Sequence, residues 1–161
     1  SFIAPAGFGK VQTSIPSFMK IPGVIEWAMH VLADRFYGSA ISSETTHSND
    51  PLSINEREFQ QLFSFQMQFK GFRESLASTM RNFNLFDARE MFEKVAAKNI
   101  PSIAIWGDND GIVSYKGAET YSEIFQEGNV ITIEDGTHDI TYRQPSDVLE
   151  AIKIFLASQI S

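Results

Sequence analysis

IAIWGDNDGIV, residues 103–113, is an apolar, β-rich run that breaks into a glycine and two aspartates and then turns apolar again. A second stretch, VITIEDGTHDI at residues 130–140, repeats the plan with acids, a glycine and His138 after its β-branched residues. Short runs of this kind bounded by Gly, Asp and Asn read as strands that end in turns. Between and after them the period is helical: YKGAETYSEIFQ separates the two runs, and PSDVLEAIKIFLASQI follows the second, with Pro145 suited to a first helical turn. Strands alternating with helices of this length predict a parallel sheet with crossover helices, because parallel neighbours cannot be joined by a hairpin. The last third of the chain is therefore expected to be α/β.

Upstream of Pro101 the pattern differs. The opening SFIAPAGFGK has the character of the tail of a buried strand running into a Gly-rich turn at Ala6 to Gly9, which suggests a fragment whose sheet is completed elsewhere. GVIEWAMHVLADRFY, with Pro22 before it and Gly38 after it, has helical spacing. Residues 39–52 are polar and read as an exposed connection. Ser53 with Glu56 three residues on has the form of a capping box ahead of FQQLFSFQMQFKGF, and FRESLASTMRNF and DAREMFEKVAAKN complete about four helices. The expected organisation is a core-strand end and turn at 1–15, a helical insertion at 16–98, and a C-terminal α/β segment at 99–161.

The bulk properties restrict the function classes. With 161 residues and 43% hydrophobic content the chain can build one real core. Its net charge of -7 is spread without basic clusters, which argues against nucleic acid or an anionic membrane as partner. The chain has no cysteine, so neither a disulfide framework nor a thiolate metal site is expected, and a cytoplasmic setting is the default. No apolar run is long enough for a membrane span, and the start lacks the layout of a signal peptide.

Ligands of open parallel sheets gather beyond the carboxyl ends of the strands, where Asp108, Asp110 and His138 all fall. If the two strands are neighbours, an acid and an imidazole from their trailing loops can meet. A carboxylate that fixes the tautomer of an imidazole is what nucleophilic catalysis requires. Taken alone, Asp-Asn-Asp-Gly is also ordinary turn composition, and a histidine in a loop is more often only that. A metal site built from Asp108, Asp110, His138 and Asp139 is disfavoured because DNDGIVSYKG lacks the regular oxygen ligands of a calcium loop. His30 lies in an apolar helical run and His47 in a polar loop, and both read as structural or solvated.

The joint pattern resembles the C-terminal half of the α/β-hydrolase superfamily. Trp106, Gly107 and Asp110, followed by GIV, match that family's acid-bearing strand end, and Gly136, His138 and Pro145 match its histidine loop and last helix. IAPAGFG and the helical stretch after it resemble the strand that leads into the family's lid and the lid itself. The resemblance spans essentially the whole chain. It implies a short parallel sheet with flanking helices and a helical lid, Asp110 as the triad acid, His138 as the base, and no cofactor or metal. Asp108 is the runner-up for the acid, and its local composition favours instead a turn residue whose side chain caps the amides of Asp110 or Gly111.

Two departures stand out. The family usually has an acid five residues after the histidine, where this chain has Arg143, and no Gly-x-Ser-x-Gly nucleophile elbow occurs anywhere in the 161 residues. The resemblance therefore implies a hydrolase for a small apolar ester or related carbonyl compound that receives its nucleophile from outside this chain. A missing N-terminal half or a second copy is the expected partner, and it should cover residues 1–5 and the faces of the strands at 101–106 and 129–134. The alternative is a non-catalytic binding module of the same fold. Ten of the 14 phenylalanines lie between residues 16 and 95, and their spacing predicts that most hold the helical insertion together while two or three touch substrate.

Overall fold

A computed structural model describes residues 1–8, 21, 23–28, 49–82, 87–126 and 128–160. Three parallel strands, β1 (Phe2–Ile3), β2 (Ile103–Gly107) and β3 (Asn129–Ile133), form one sheet in the order β1-β2-β3. Phe2 lies opposite Ala104, and the β2–β3 register runs from Ile103 opposite Asn129 to Gly107 opposite Ile133. The helices are α1 (Glu56–Gln66), α2 (Phe72–Asn82), α3 (Arg89–Ala96), α4 (Gly117–Ile124), α5 (Ile140–Arg143) and α6 (Pro145–Ser158). The helix expected over 23–37 is described only in part, and its residues 24–28 are helical. His30, His47 and most of the 39–52 connection lie outside the described residues.

All five residues of β2 are buried, and alternation decides what each meets. Ala104 and Trp106 point into a cluster with Phe8, Ala118, Tyr121 and Phe125, while Ile103 and Ile105 point into one with Ile133, Ile140, Val148 and Ala151. Full burial of an aliphatic or aromatic side chain contributes about 1.5–3 kcal/mol, so Ile103, Ile105 and Trp106 make β2 the centre of the sheet. The first cluster is strongly aromatic: Phe8 stacks on Phe92 with centroids 3.9 Å apart, and Phe2 meets Phe125 at 5.5 Å and Phe92 at 5.8 Å. Tyr121 is wholly buried there with its hydroxyl 2.8 Å from that of Ser102, and burial pushes the phenol up despite that bond.

These contacts correct one expectation. Both faces of β2 are filled by the chain itself, because α4 and the aromatic cluster cover one side and α5 with α6 the other. Residual exposure falls on β1 and β3, where Ile3, Asn129 and Thr132 are exposed. Phe92, counted among the ten phenylalanines of the helical stretch, belongs to the sheet's own core.

The chain divides into two compact units. One comprises Ser1–Val11, Ser48–Ser53 and Phe86–Ser161, and the other Gln12–His47 and Ile54–Leu85. Within the second, Ile25 and Ala77 are buried against Leu76, Arg81 pairs with Glu26, and the rings of Phe63 and Phe72 meet edge to face at 6.4 Å. That guanidinium, through its side-chain hydrogen bond, holds the Glu26 carboxyl below its ordinary range. Phe65 and Phe69 contact one another but stay 56% and 53% exposed, so phenylalanine spacing in α1 does not translate into burial.

The capping box at the start of α1 is Asn55 with Glu58, and not Ser53 with Glu56. Asn55 Oδ1 accepts from the Glu58 N–H at 3.0 Å and Glu58 Oε2 from the Asn55 N–H at 3.0 Å. Ser53 is committed to the preceding turn, its N–H donating to the Asp50 carbonyl at 3.0 Å. Both pairs satisfy the three-residue spacing, and the turn at Pro51 and Leu52 decides between them.

Candidate functional site

Two glycines bring the loops after β2 and β3 together. A Cβ on Gly107 would lie 2.2 Å from the Gly136 carbonyl oxygen, and one on Gly136 would lie 2.8 Å from the Gly107 Cα, so only bare backbone fits at either position. The crossing is tied by the Asn109 N–H donating to the Gly136 carbonyl at 2.9 Å and the Asp108 N–H to the Ile133 carbonyl at 3.2 Å.

Asp110 is set by this crossing and by its own loop. Oδ1 accepts from the N–H groups of Ile112 at 2.9 Å and Val113 at 2.7 Å, which fixes the carboxylate plane. The other oxygen, Oδ2, faces His138 Nδ1 at 2.9 Å. The Asp110 side chain is fully shielded from solvent, whereas that of His138 is 34% exposed. A carboxylate removed from water requires such hydrogen bonds, and charge-assisted ones are the stronger kind. The far end of the loop is held by Trp106, whose Nε1–H donates to the Val113 carbonyl at 2.9 Å. A tryptophan at the end of β2 thus buries its ring in the core and uses its single polar atom to brace the aspartate loop, a role its position in the motif did not disclose.

The residues beside His138 are equally tied. The Thr137 hydroxyl donates to Asp139 Oδ1, and Arg143 Nε donates to Asp139 Oδ2 at 2.9 Å. Arg143 in place of an acid therefore pairs back, one helical turn, onto the residue after the histidine. Gln144 Nε2 donates to the Glu134 carbonyl at 3.0 Å, drawing the end of α5 against the end of β3.

Of the residues singled out in the sequence, Asp110 and His138 meet. Asp108 is exposed, and the capping of loop amides expected of it is performed by Asp110, two residues later. Among the described residues, no group of three His, Cys, Asp or Glu is placed to hold a metal ion, and no helix is long and apolar enough to cross a membrane. In the tautomer that carries its proton on Nδ1, the imidazole donates to the Asp110 carboxylate and its other nitrogen, Nε2, has acceptor character.

The sheet, its crossover helices and these two loops together have the α/β-hydrolase fold. The solved bromoperoxidase from Bacillus anthracis superposes with a TM-score of 0.68 at 18% identity, over 96% of this chain and 55% of that one. A thermophilic esterase from Thermogutta terrifontis gives 0.57 at 17% identity, over 90% and 52%. In sequence the chain is 28% identical over 127 residues to Lipase 3 of Moraxella sp. strain TA144, which is 68% of this chain and 40% of that protein. The chain thus spans about half the length of the proteins it matches. No family model matches it.

Proposed function

We propose that the chain is the C-terminal part of an α/β-hydrolase and supplies the acid and histidine of a catalytic triad that cleaves a small apolar ester or related carbonyl compound. The observation that carries this reading is the pairing of shielded Asp110 with part-exposed His138 at 2.9 Å. Asp110 keeps the ring in the tautomer with Nδ1 protonated and stabilises the imidazolium. His138 takes the proton of a nucleophile through Nε2 and returns it to the leaving group. The nucleophile comes from outside these 161 residues, which contain no Gly-x-Ser-x-Gly. Relatives named as a lipase and an esterase support the ester class. In this reading the helical stretch corresponds to the family's lid.

The pure 161-residue chain is expected not to turn over p-nitrophenyl acetate, since an acid–histidine pair without nucleophile or oxyanion hole has nothing to activate. The protein that contains the nucleophile segment is expected to hydrolyse it. Hydrolysis by the chain alone that disappears in His138→Ala would overturn the placement of the nucleophile. The absence of an elbow motif is also what a binding module would show, and a whole protein that binds apolar esters without turnover would decide for that alternative.

A further inference from the structure

Helix α6 starts without a cap of its own. Its N-cap residue Gln144 makes no side-chain cap bond, and Pro145 at its first position has no N–H, so Ser146 presents the first amide in need of an acceptor. The acceptor comes from 96 residues earlier in the chain: Asp50 Oδ2 takes the Ser146 N–H at 2.8 Å, and Asp50 Oδ1 the Ser146 hydroxyl at 2.9 Å. Asp50 is itself braced, since Oδ1 also accepts from the Leu52 N–H at 2.8 Å and its carbonyl from the Ser53 N–H at 3.0 Å. A carboxylate at a helix N-terminus is favoured by the helix dipole as well as by the bonds. The segment Ser48–Ser53 belongs to the same compact unit as the sheet, although the chain on either side of it belongs to the other.

The other end of the same corner is closed by Gln144 donating to the Glu134 carbonyl. Between Glu134 and Ser146 lie the Thr137–Asp139–Arg143 bonds, α5 and His138. The corner is short and tied at both ends, and a single four-residue helix separates the histidine loop from the start of α6.

We propose that Asp50 is a positioning residue for His138: by capping α6 from a distant part of the chain it closes the Glu134–Ser146 corner and keeps the imidazole on Asp110. Its catalytic meaning rests on the triad reading above, but the positioning itself is measurable without activity. The readout is the Nδ1–H proton resonance of His138 in the 161-residue chain, assigned by its loss in His138→Gln. A hydrogen bond to a carboxylate moves this proton downfield and slows its exchange. In Asp50→Ala it is expected to move upfield and exchange about tenfold faster, the factor set by loss of one helix cap. Asp50→Asn, which caps about as well as Asp, should retain most of the signal. Asn55→Ala removes the equivalent cap from α1 and should leave His138 unaltered. An unchanged resonance in Asp50→Ala, or an equal change in Asn55→Ala, overturns the proposal. If Asp50→Ala does not fold, Ser146→Ala removes one of the two bonds and should produce a smaller change of the same sign, and no change there overturns the proposal as well. Failure of the triad reading would appear instead as unaltered turnover of the whole protein carrying His138→Ala, whatever the resonance does.

Discussion

Replacing Gly107 by alanine tests the crossing on which the site is built. The added Cβ would stand 2.2 Å from the Gly136 oxygen and 2.4 Å from its carbonyl carbon, whereas ordinary contact begins near 3.4 Å. Both obstacles are backbone, so no side chain can rotate away, and the two loops must part by about 1 Å to reach an ordinary contact distance. A separation of that size takes the 2.9 Å bond from Asn109 to Gly136 beyond hydrogen-bonding distance, and the 2.9 Å pair of Asp110 and His138 with it. Overpacking costs about 1–3 kcal/mol and each lost bond roughly another 1, which places the destabilisation at about 3–5 kcal/mol. That is a large share of the roughly 5–15 kcal/mol that holds a domain of this size together. Trp106 is wholly buried and Trp27 is 62% exposed, so in a Trp27→Phe background urea unfolding followed by fluorescence reports the unit that contains the site. A Gly107→Ala variant whose urea midpoint matches the parent, with the His138 Nδ1–H resonance in place, would refute the argument that the glycine crossing sets the acid–histidine distance.

In the whole protein, Asp110→Asn and His138→Ala should each lower kcat by about 10⁴, the loss known when a triad acid becomes an amide, whereas Asp108→Asn should stay within about tenfold of wild type in steady-state assays. Trp106→Phe leaves the Val113 carbonyl without its indole donor and should cost about 1–3 kcal/mol in the same unfolding experiment, accompanied by faster amide exchange at Ile112 and Val113. Asp50 predicts a pH dependence: burial raises its carboxyl, but the bonds from Leu52 and Ser146 outweigh this and hold it below the ordinary value. A carboxyl lowered by folding contributes stability above its unfolded pKa, and that contribution is lost as pH falls through the folded one. The gap in urea midpoint between wild type and Asp50→Ala should therefore be full at pH 7 and narrow below about pH 4, where only the cap of the neutral carboxyl is left, and a gap constant from pH 7 to 3 would contradict the assignment.

The features legible in the sequence were those in which a local run sets its own environment. β2 could be read from IAIWG because five apolar residues between Pro101 and Asp108 leave no polar face, and α6 because Pro145 marks its first turn. Parallel neighbours direct their carboxyl ends to one edge, which gathers Asp108, Asp110 and His138 there, and it is the resemblance of Trp106, Gly107 and Asp110 to the hydrolase motif that singles out Asp110. The start of α1 is ambiguous by two residues in the sequence because Ser53–Glu56 and Asn55–Glu58 satisfy the same rule, and only the turn at residues 51–52 breaks the tie. Phe92 falls in the helical stretch by position, yet it stacks on Phe8, a partner that its own helical spacing does not indicate.

What stayed hidden was set by long-range closure. Nothing near Gln144 announces that α6 lacks a local cap, and nothing near Asp50 announces that a helix almost a hundred residues later needs one. Seen from the chain, Asp50 is the aspartate of an ordinary Asp-Pro turn; seen from the fold, the same carboxylate is shared between that turn and the helix that follows the histidine loop. The Thr137–Asp139–Arg143 bonds have the same character, because Arg143 as a replacement for an acid reads as a loss until Asp139 is seen to receive it. The acid and the histidine are thus specified by their own strands, whereas the precision of their meeting is specified by the motif residues Trp106 and Gly107 together with Asp50 and Arg143, which no motif contains. Substitutions at Gly107, Trp106, Asp50 and Arg143 should accordingly alter the geometry of the pair while leaving its two members untouched.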